Sequence, residues 1–334
     1  MDVLKVAREM GMLKLGTACL DGTKIHANAS RHSALSYGHL AKIEEQLKSE
    51  VVELLQKAEA ADQSDVPDGM SVPEELKRRE DRLKKLAEAK AKIEARAQER
   101  FEREMAEHQA KMEARAAREA ETGKKLGGRP PPPPKEGPRP DDQINLTDEE
   151  SRIMPVAGGG FDPCYNAQAV VAAGSLLVVA TDVVQAANDK QQIVPMVAKL
   201  QAQSEELGKP EHLRADTGYH SAANVDACEA AQIVPMIANG RQPHDPPLAE
   251  RFAPTPEAPK DPTPVEAMAH RLKTPEGKAI YALRKQTPEP VFGIIKSVLG
   301  FRQFSLRGRD SVRGEWSIVT MAWNLKRMFN LSIA

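Results

Sequence analysis

From Tyr37 to Thr122 the chain is charged, rich in alanine and almost without aromatic residues, and this stretch limits the fold more than any other. Leu40, Ile43, Leu47, Val51, Leu54 and Ala58 recur at steps of three and four, the seam of an amphipathic helix. Asp65 to Gly69 interrupts the pattern. Ser71-Val72-Pro73-Glu74 then has the form of a capping box with proline in the first turn. A second helix is predicted from there to Thr122, with Leu76, Leu83, Leu86, Ile93 and Ala97 on one stripe and Phe101, Met105 and Met112 continuing it less regularly. About fifty residues at ~1.5 Å each make a rod of roughly 75 Å, about twice the length of the first helix. The expectation is a projecting, coiled-coil-like hairpin whose tip is poorly covered.

The flanks read differently. Before the arm, a short helix leads into a strand, Leu15 to Ile25, in which Gly22 is expected to allow a sharp bend just after Asp21. After it, Gly127 to Pro140 with five consecutive prolines, Pro130 to Pro134, is expected to be a stiff spacer, the other reading being an SH3-type ligand. Tyr165 to Val171 alternates polar and apolar residues, and Ser175 to Val184 is an apolar strand, so Ala172-Ala173-Gly174 is expected to close a hairpin. A helix over about 190–207, a strand ending at Asp216, a helix over 222–231 and a strand over 233–238 complete an α/β alternation. Residues 240–264 read as loop, and helices follow from about Pro275, interrupted near Gly300 and Gly308.

The formal net charge is −1, yet the stretch from Arg271 to the C-terminus holds twelve basic and four acidic residues, the excess a polyanion-binding face needs. A solvated helical surface would look the same. Cys19, Cys164 and Cys228 form no Cys-x-x-Cys pair, which argues against a zinc site or a disulfide framework. No apolar run reaches the ~20 residues that span a bilayer.

Set the arm aside, and the order is strand with Asp21, hairpin, helix, strand with Asp216, helix, strand, loop, helix with Glu289. This is the ribonuclease-H-like order, in which the first and fourth strands lie side by side, so acids on them can meet. Three carboxylates are what a pair of Mg²⁺ ions needs, since each ion prefers hard oxygen ligands. Glu289 and Lys296 lie two helical turns apart, on one face.

Four segments carry a resemblance to a known family: Leu20 through Ser30; Gly160 through Ala169 with its Tyr-Asn-Ala-Gln core; Ala215-Asp216-Thr217-Gly218-Tyr219; and Tyr281 through Lys296, where Tyr281, Arg284, Glu289 and Lys296 fall at the places of a Tyr, Arg, Glu, Lys signature. The segment from Gly300-Phe301-Arg302 through Arg307-Gly308 and the closing Arg313 through Trp316 resemble the family's C-terminal portion. The chain is identified as similar to the DDE transposases of bacterial insertion sequences. The resemblance implies a ribonuclease-H-like catalytic domain with a helical insertion after its first strand. It implies Asp21, Asp216 and Glu289 as catalytic and metal-holding residues for two Mg²⁺, with Mn²⁺ able to substitute. Tyr281, Arg284, Lys296 and Arg302 would contact DNA. It further implies cleavage and strand transfer, DNA ends and target as partners, a homodimer, no membrane, and a bacterial cytoplasmic, nucleoid-associated place. Relatives carry a helical DNA-binding region before the first catalytic strand, which this chain is expected to lack.

The expected domains are 1–35 and 156–334 as the catalytic part, 36–125 as the helical hairpin and 126–155 as the proline-rich linker. Plainer readings stand beside each acid: Asp21 as a turn residue, Asp216 as a cap on the following turn, Glu289 as a surface acid. Asp182 and Glu315 are the rival carboxylates. His26, His220 and His270 share no metal-ligand spacing, and Trp316 and Trp323, seven apart, are expected to share a buried helix face. Two further functions fit the sequence: a catalytically silent remnant that binds DNA or protein, and a host nuclease of the same fold.

Overall fold

A computed structural model of the chain describes residues 2–61, 72–125, 127–240 and 256–333. The expected break at 65–69 and cap at Ser71 lie outside these, as does most of the expected loop at 240–264. The chain divides into two compact units, one of residues 1–29 and 150–334 and the other of residues 30–149.

The first unit is a mixed sheet with helices on both faces. Helix α1 (Asp2–Glu9) precedes β1 (Thr17–His26). Strands β4 (Arg152–Pro155), β5 (Phe161–Ala172), β6 (Val178–Val184), β7 (His212–Ala215) and β8 (Val234–Ile237) complete the sheet. Strand β1 is antiparallel to β5 and parallel to β7, and β7 is parallel to β8. The long β5 pairs on its other edge with β4 and then with β6. Although residues 165–171 alternate polar and apolar, β5 is central and buried from Pro163 to Ala172, Asn166 and Gln168 included. The hairpin turn is longer than expected. Ser175, Leu176 and Leu177 belong to it rather than to β6, because Leu176 adopts a positive φ and Ser175 Oγ accepts from the Leu177 amide.

One face of the sheet is covered by α4 (Ile193–Ala202), α5 (Ser204–Leu207) and α6 (Ala222–Ala230), with Leu20, Val170 and Leu213 turned towards Ile193, Met196 and Val225. The helix expected over 190–207 is therefore broken at Gln203. Helix α7 (Pro264–Arg271) was not expected, although Thr263 and Glu266 form a full capping box with Pro264 in the first turn. Next come α8 (Pro275–Ala282), a 3-10 turn (Leu283–Gln286), α9 (Pro288–Ser297) and α10 (Arg309–Ser332). The chain between α9 and α10 turns at Gly300 and Gly308, both at positive φ. Helices α9 and α10 cover the opposite face: Val291, Phe292, Ile295 and Trp316 pack on Tyr165, Ala167 and Ala169. The indole N–H groups of Trp316 and Trp323 donate to Gln168 O and Leu176 O at 3.1 and 2.8 Å, so both tryptophans are buried on one helix face as expected. The outward side of α10 exposes Ile318, Met321, Leu325 and Phe329.

The second unit contains α2 (Tyr37–Ala61) and α3 (Val72–Thr122), with a small β2–β3 ribbon (Ala34–Ser36, Gln143–Asn145). Leu40 and Leu47 pack on Leu86, Ala89 and Ile93, and Glu44–Lys90 and Glu50–Arg79 ion pairs fix the two helices antiparallel. Beyond Ala97 no described residue of α3 is buried. The proline-rich segment is not a free spacer. It runs back along this part of α3, through Arg115 to Gly128 O, His108 to Pro131 O, and Arg100 to Asp142. Among the described residues no helix is long and apolar enough to cross a membrane.

Candidate active site

The register of β1 on β7 pairs Ala18 with Leu213 and Cys19 with Arg214. Two residues further on come Asp21, within β1, and Asp216, one residue past the end of β7. Side chains alternate along a strand, and Ala18, Leu20, Leu213 and Ala215 all face the α4–α6 core. Asp21 and Asp216 therefore share the other face, the one covered by α9. The antiparallel partner of Asp21 is Ala169, small enough to leave the carboxylate room.

Asp21 is 16% exposed, and its Oδ2 lies 3.8 Å from Arg284 Nη1. Burial is the main cause that pushes its carboxyl up to about 6. The Gly22 amide, 2.9 Å away, and Arg284 pull the other way, while Asp216 and Asp189 add to the rise. Asp216 also fulfils its plainer role, since its side chain accepts from the Gly218 amide at 2.8 Å and caps the next turn. Tyr281, on α8, donates from its hydroxyl to Ala215 O at 3.3 Å. Burial works against the Arg284 cation, but Tyr281, Asp21 and Asp216 outweigh it and hold its pKa above the ordinary value.

Tyr281, Arg284 and Glu289 do not lie on one helix: they fall on α8, on the 3-10 turn and on the first turn of α9. Pro288 fixes the start of α9, as the flanking prolines suggested. Lys296 does share α9 with Glu289. Its ammonium donates to Lys24 O at 2.8 Å, and burial lowers its pKa. Arg302 is exposed and donates to Lys296 O at 3.0 Å. Glu289 is exposed. Among the described residues no three of His, Cys, Asp and Glu converge closely enough to hold a metal ion. Asp21 feels the charge of Asp216, whereas Glu289 lies exposed in the first turn of α9.

The rival carboxylates have other work. Asp182, on the edge strand β6, pairs with Arg313 at 2.8 Å and Lys199 at 3.1 Å. Glu315 accepts from the Ser305 and Leu306 amides and holds the loop before α10.

The residues beneath the pair were not legible as a site. Gly22 makes no bend; it is extended, inside β1. What it supplies is the lack of a side chain, for a Cβ there would run into Gln168 Nε2 and come within 2.7 Å of Asp189 Oδ1 and 2.8 Å of Asn166 Oδ1. Asp189 Oδ1 accepts from Asn166 Nδ2 at 2.6 Å and from Gln168 Nε2 at 2.7 Å. Gln168 Oε1 in turn accepts from Tyr219 Oη at 2.6 Å. This network lies on the α4 side, opposite Asp21, and ties β5 to the turn that follows Asp216. Its signal was in the sequence: two amides at i and i+2 in an otherwise apolar strand must bury hydrogen-bonding groups.

Residues 259–329, from before α7 into α10, match the family described as transposase DDE domain. The match includes Tyr281, Arg284, Glu289, Lys296 and Arg302, and does not reach Asp21 or Asp216. No curated protein and no solved structure matches the chain.

Proposed function

We propose, from the membership of this chain in the DDE transposases, that it cuts DNA at the ends of an insertion sequence and joins the freed ends to a target, with Asp21, Asp216 and Glu289 as its catalytic carboxylates. The observation that carries the reading is that Asp21 on β1 and Asp216 just past the end of the neighbouring parallel strand β7 follow residues in register, which by alternation turns both towards the face covered by α9. The strand order β6-β5-β1-β7-β8, with only β5 reversed beside β1, supports a ribonuclease-H-like fold with a coiled-coil-like insertion after β1.

The donor set fits a hard divalent cation such as Mg²⁺ or Mn²⁺. It offers carboxylate oxygens and no thiolate, and the like charges of Asp21 and Asp216 raise the cost of leaving both ionised without a cation. Such ions, when bound, activate the attacking oxygen and stabilise the leaving one. The chain's own groups do the rest. Arg284 favours the ionised form of Asp21 and offers a planar fork to a DNA phosphate. Tyr281 is anchored beside Asp216 through Ala215. Lys296 and Arg302 bring positive charge to the strand beyond Asp21, where the DNA backbone would run. Glu289 joins the pair when substrate draws the first turn of α9 inward, since catalytic contacts are often loose in the free enzyme. The resemblance further suggests a homodimer that holds two DNA ends.

The exposure of Glu289, with no three metal-binding side chains converging among the described residues, favours a second reading, a catalytically silent protein that only binds DNA. Nicking of supercoiled plasmid with Mg²⁺ or Mn²⁺ separates the two. The first reading expects weak, sequence-indifferent nicking that Asp21→Asn abolishes, with Ca²⁺ supporting binding but little cutting. Equal background cleavage by the wild type and Asp21→Asn would leave the second.

A further inference from the structure

Arg214 is 0% exposed, one of the largest fully buried side chains, and sits on β7 two residues before Asp216. It shares the Asp21 face, beside Cys19. An apolar side chain would serve packing better there, because a buried guanidinium is costly unless its donors are used. Among the described residues no carboxylate pairs with Arg214, and its Nε is buried without a hydrogen-bond partner. Its two other nitrogens are used. Nη1 donates to Ile280 O at 2.8 Å, and Nη2 donates to Thr287 Oγ1 at 3.3 Å.

Those two acceptors bracket the segment that carries the candidate site. Ile280 is in the last turn of α8, where carbonyls lack helical partners and the helix dipole favours a cation. Thr287, itself buried, is the residue before α9, and its hydroxyl donates onward to Leu283 O at 2.8 Å. Between them lie Tyr281 and Arg284; just after them comes Glu289.

We propose that Arg214 is a positioning residue: one buried guanidinium clamps the end of α8 and the start of α9 to the strand that carries Asp216, and so sets where Tyr281, Arg284 and Glu289 stand relative to Asp21 and Asp216. The clamp bears on function only through the nuclease reading above, but its existence can be tested apart from it. A device for stability alone would have used a hydrophobe; this one ties a loop-rich segment to the central sheet at a single point.

The test is amide hydrogen exchange on the full chain, comparing wild type, Arg214→Met, Arg214→Lys, Thr287→Val and the Met/Val double variant. Arg214→Met should speed exchange over 280–290 by roughly tenfold to a hundredfold, the loss of one or two charge-assisted bonds, while β1 and β5 stay protected. Arg214→Lys keeps one donor and should recover part of the protection. The double variant should be no worse than Arg214→Met, because both act on one clamp. Should Arg214→Met not fold, Arg214→Lys and Thr287→Val carry the comparison. A second readout is the salt dependence of binding to a mixed-sequence DNA duplex. Arg214→Met should flatten it as Arg284→Ala does, with no further effect when the two are combined, a signature that lost stability alone would not give. Unchanged exchange over 280–290, or a rise spread evenly through the sheet, would overturn the clamp. Absence of DNA binding by the wild type would instead count against the nuclease reading and leave the exchange result standing.

Discussion

Asp21 is stable only at a cost, and the sign of that cost can be measured. Its folded pKa of about 6 lies above the unfolded value near 3.8, so the native state holds the proton more tightly than the unfolded chain. Its contribution to stability is therefore greatest below the unfolded pKa. It is lost as pH rises from about 4 through about 6, by up to ~3 kcal/mol if no other group compensates. Denaturant unfolding of metal-free protein should show this: Asp21→Asn should be more stable than wild type at pH 8 by about 1–3 kcal/mol, and the gap should close towards pH 4. A gap that is the same at both pH values would mean that Asp21 is not held protonated by the fold. Gly22 carries the complementary prediction. Gly22→Ala forces a methyl group against Gln168 Nε2 and Asp189, so it should cost about 2–4 kcal/mol, far more than a glycine-to-alanine change in an open strand. A melting temperature within a degree or so of wild type would show that the network gives way freely. At this scale the candidate acids stood out in the sequence, because Asp21 and Asp216 close short apolar runs and Glu289 follows a proline at a predicted helix start. The supporting residues did not. Gly22 reads as a turn, and nothing local singles out Arg214 or Asp189, because each gains its meaning from a neighbour far away in sequence.

Elements whose periodicity is local were read well, and those set by long-range packing were not. The two arm helices, the short helix before β1 and the helix at 222–230 all follow from spacing and caps. Strand β5 defeated the alternation rule because both of its faces are covered, so its polar residues are buried partners rather than solvent-facing ones. The ribbon strands β2 and β3 are three residues each, too short for a period of two to show. Helix α7 was missed although its cap was complete, because proline and charge before it suggested loop throughout. The packing of α10 gives a test at this scale. Asn324 grips both backbone groups of Val178, accepting from its amide and donating to its carbonyl, each at 2.8 Å. Asn324→Leu fills the volume but leaves two buried peptide groups unpaired, and should cost about 2–4 kcal/mol. Leu325→Gln, one residue on and half exposed, should change stability by less than ~0.5 kcal/mol. Chemical denaturation of both variants compares the faces directly; similar losses at the two sites would mean that α10 is not docked through Asn324.

For the whole molecule the question is whether the sheet needs the 120 residues inserted in it. The chain leaves the first unit after Ala29 and returns at Glu150. The nearest points on either side are His26 and Arg152, and both pair with the same residue of β5, Cys164, on its opposite edges. Two strand spacings separate them, roughly 10 Å. A few residues of flexible linker can cross that distance, and closing a shorter loop costs less entropy than closing a long one. The second unit, for its part, keeps its own cluster of Leu40, Leu47, Leu86, Ile93 and Ile144 and its own ion pairs, so removing it takes no residue from the two cores of the sheet. Replacement of residues 30–149 by a short Gly/Ser linker should therefore leave a protein that unfolds cooperatively. Its Trp316 and Trp323 fluorescence should shift in a single transition, at a denaturant midpoint close to that of the full chain. Asp21 and the charged groups that act on it, Asp216, Arg284 and Asp189, all belong to the first unit, so the pH-dependent gain from Asp21→Asn should survive the deletion. Loss of the cooperative transition would show that the inserted unit is part of what folds the sheet. Survival of the transition without the Asp21 effect would show that the sheet forms but no longer buries Asp21 as the full chain does.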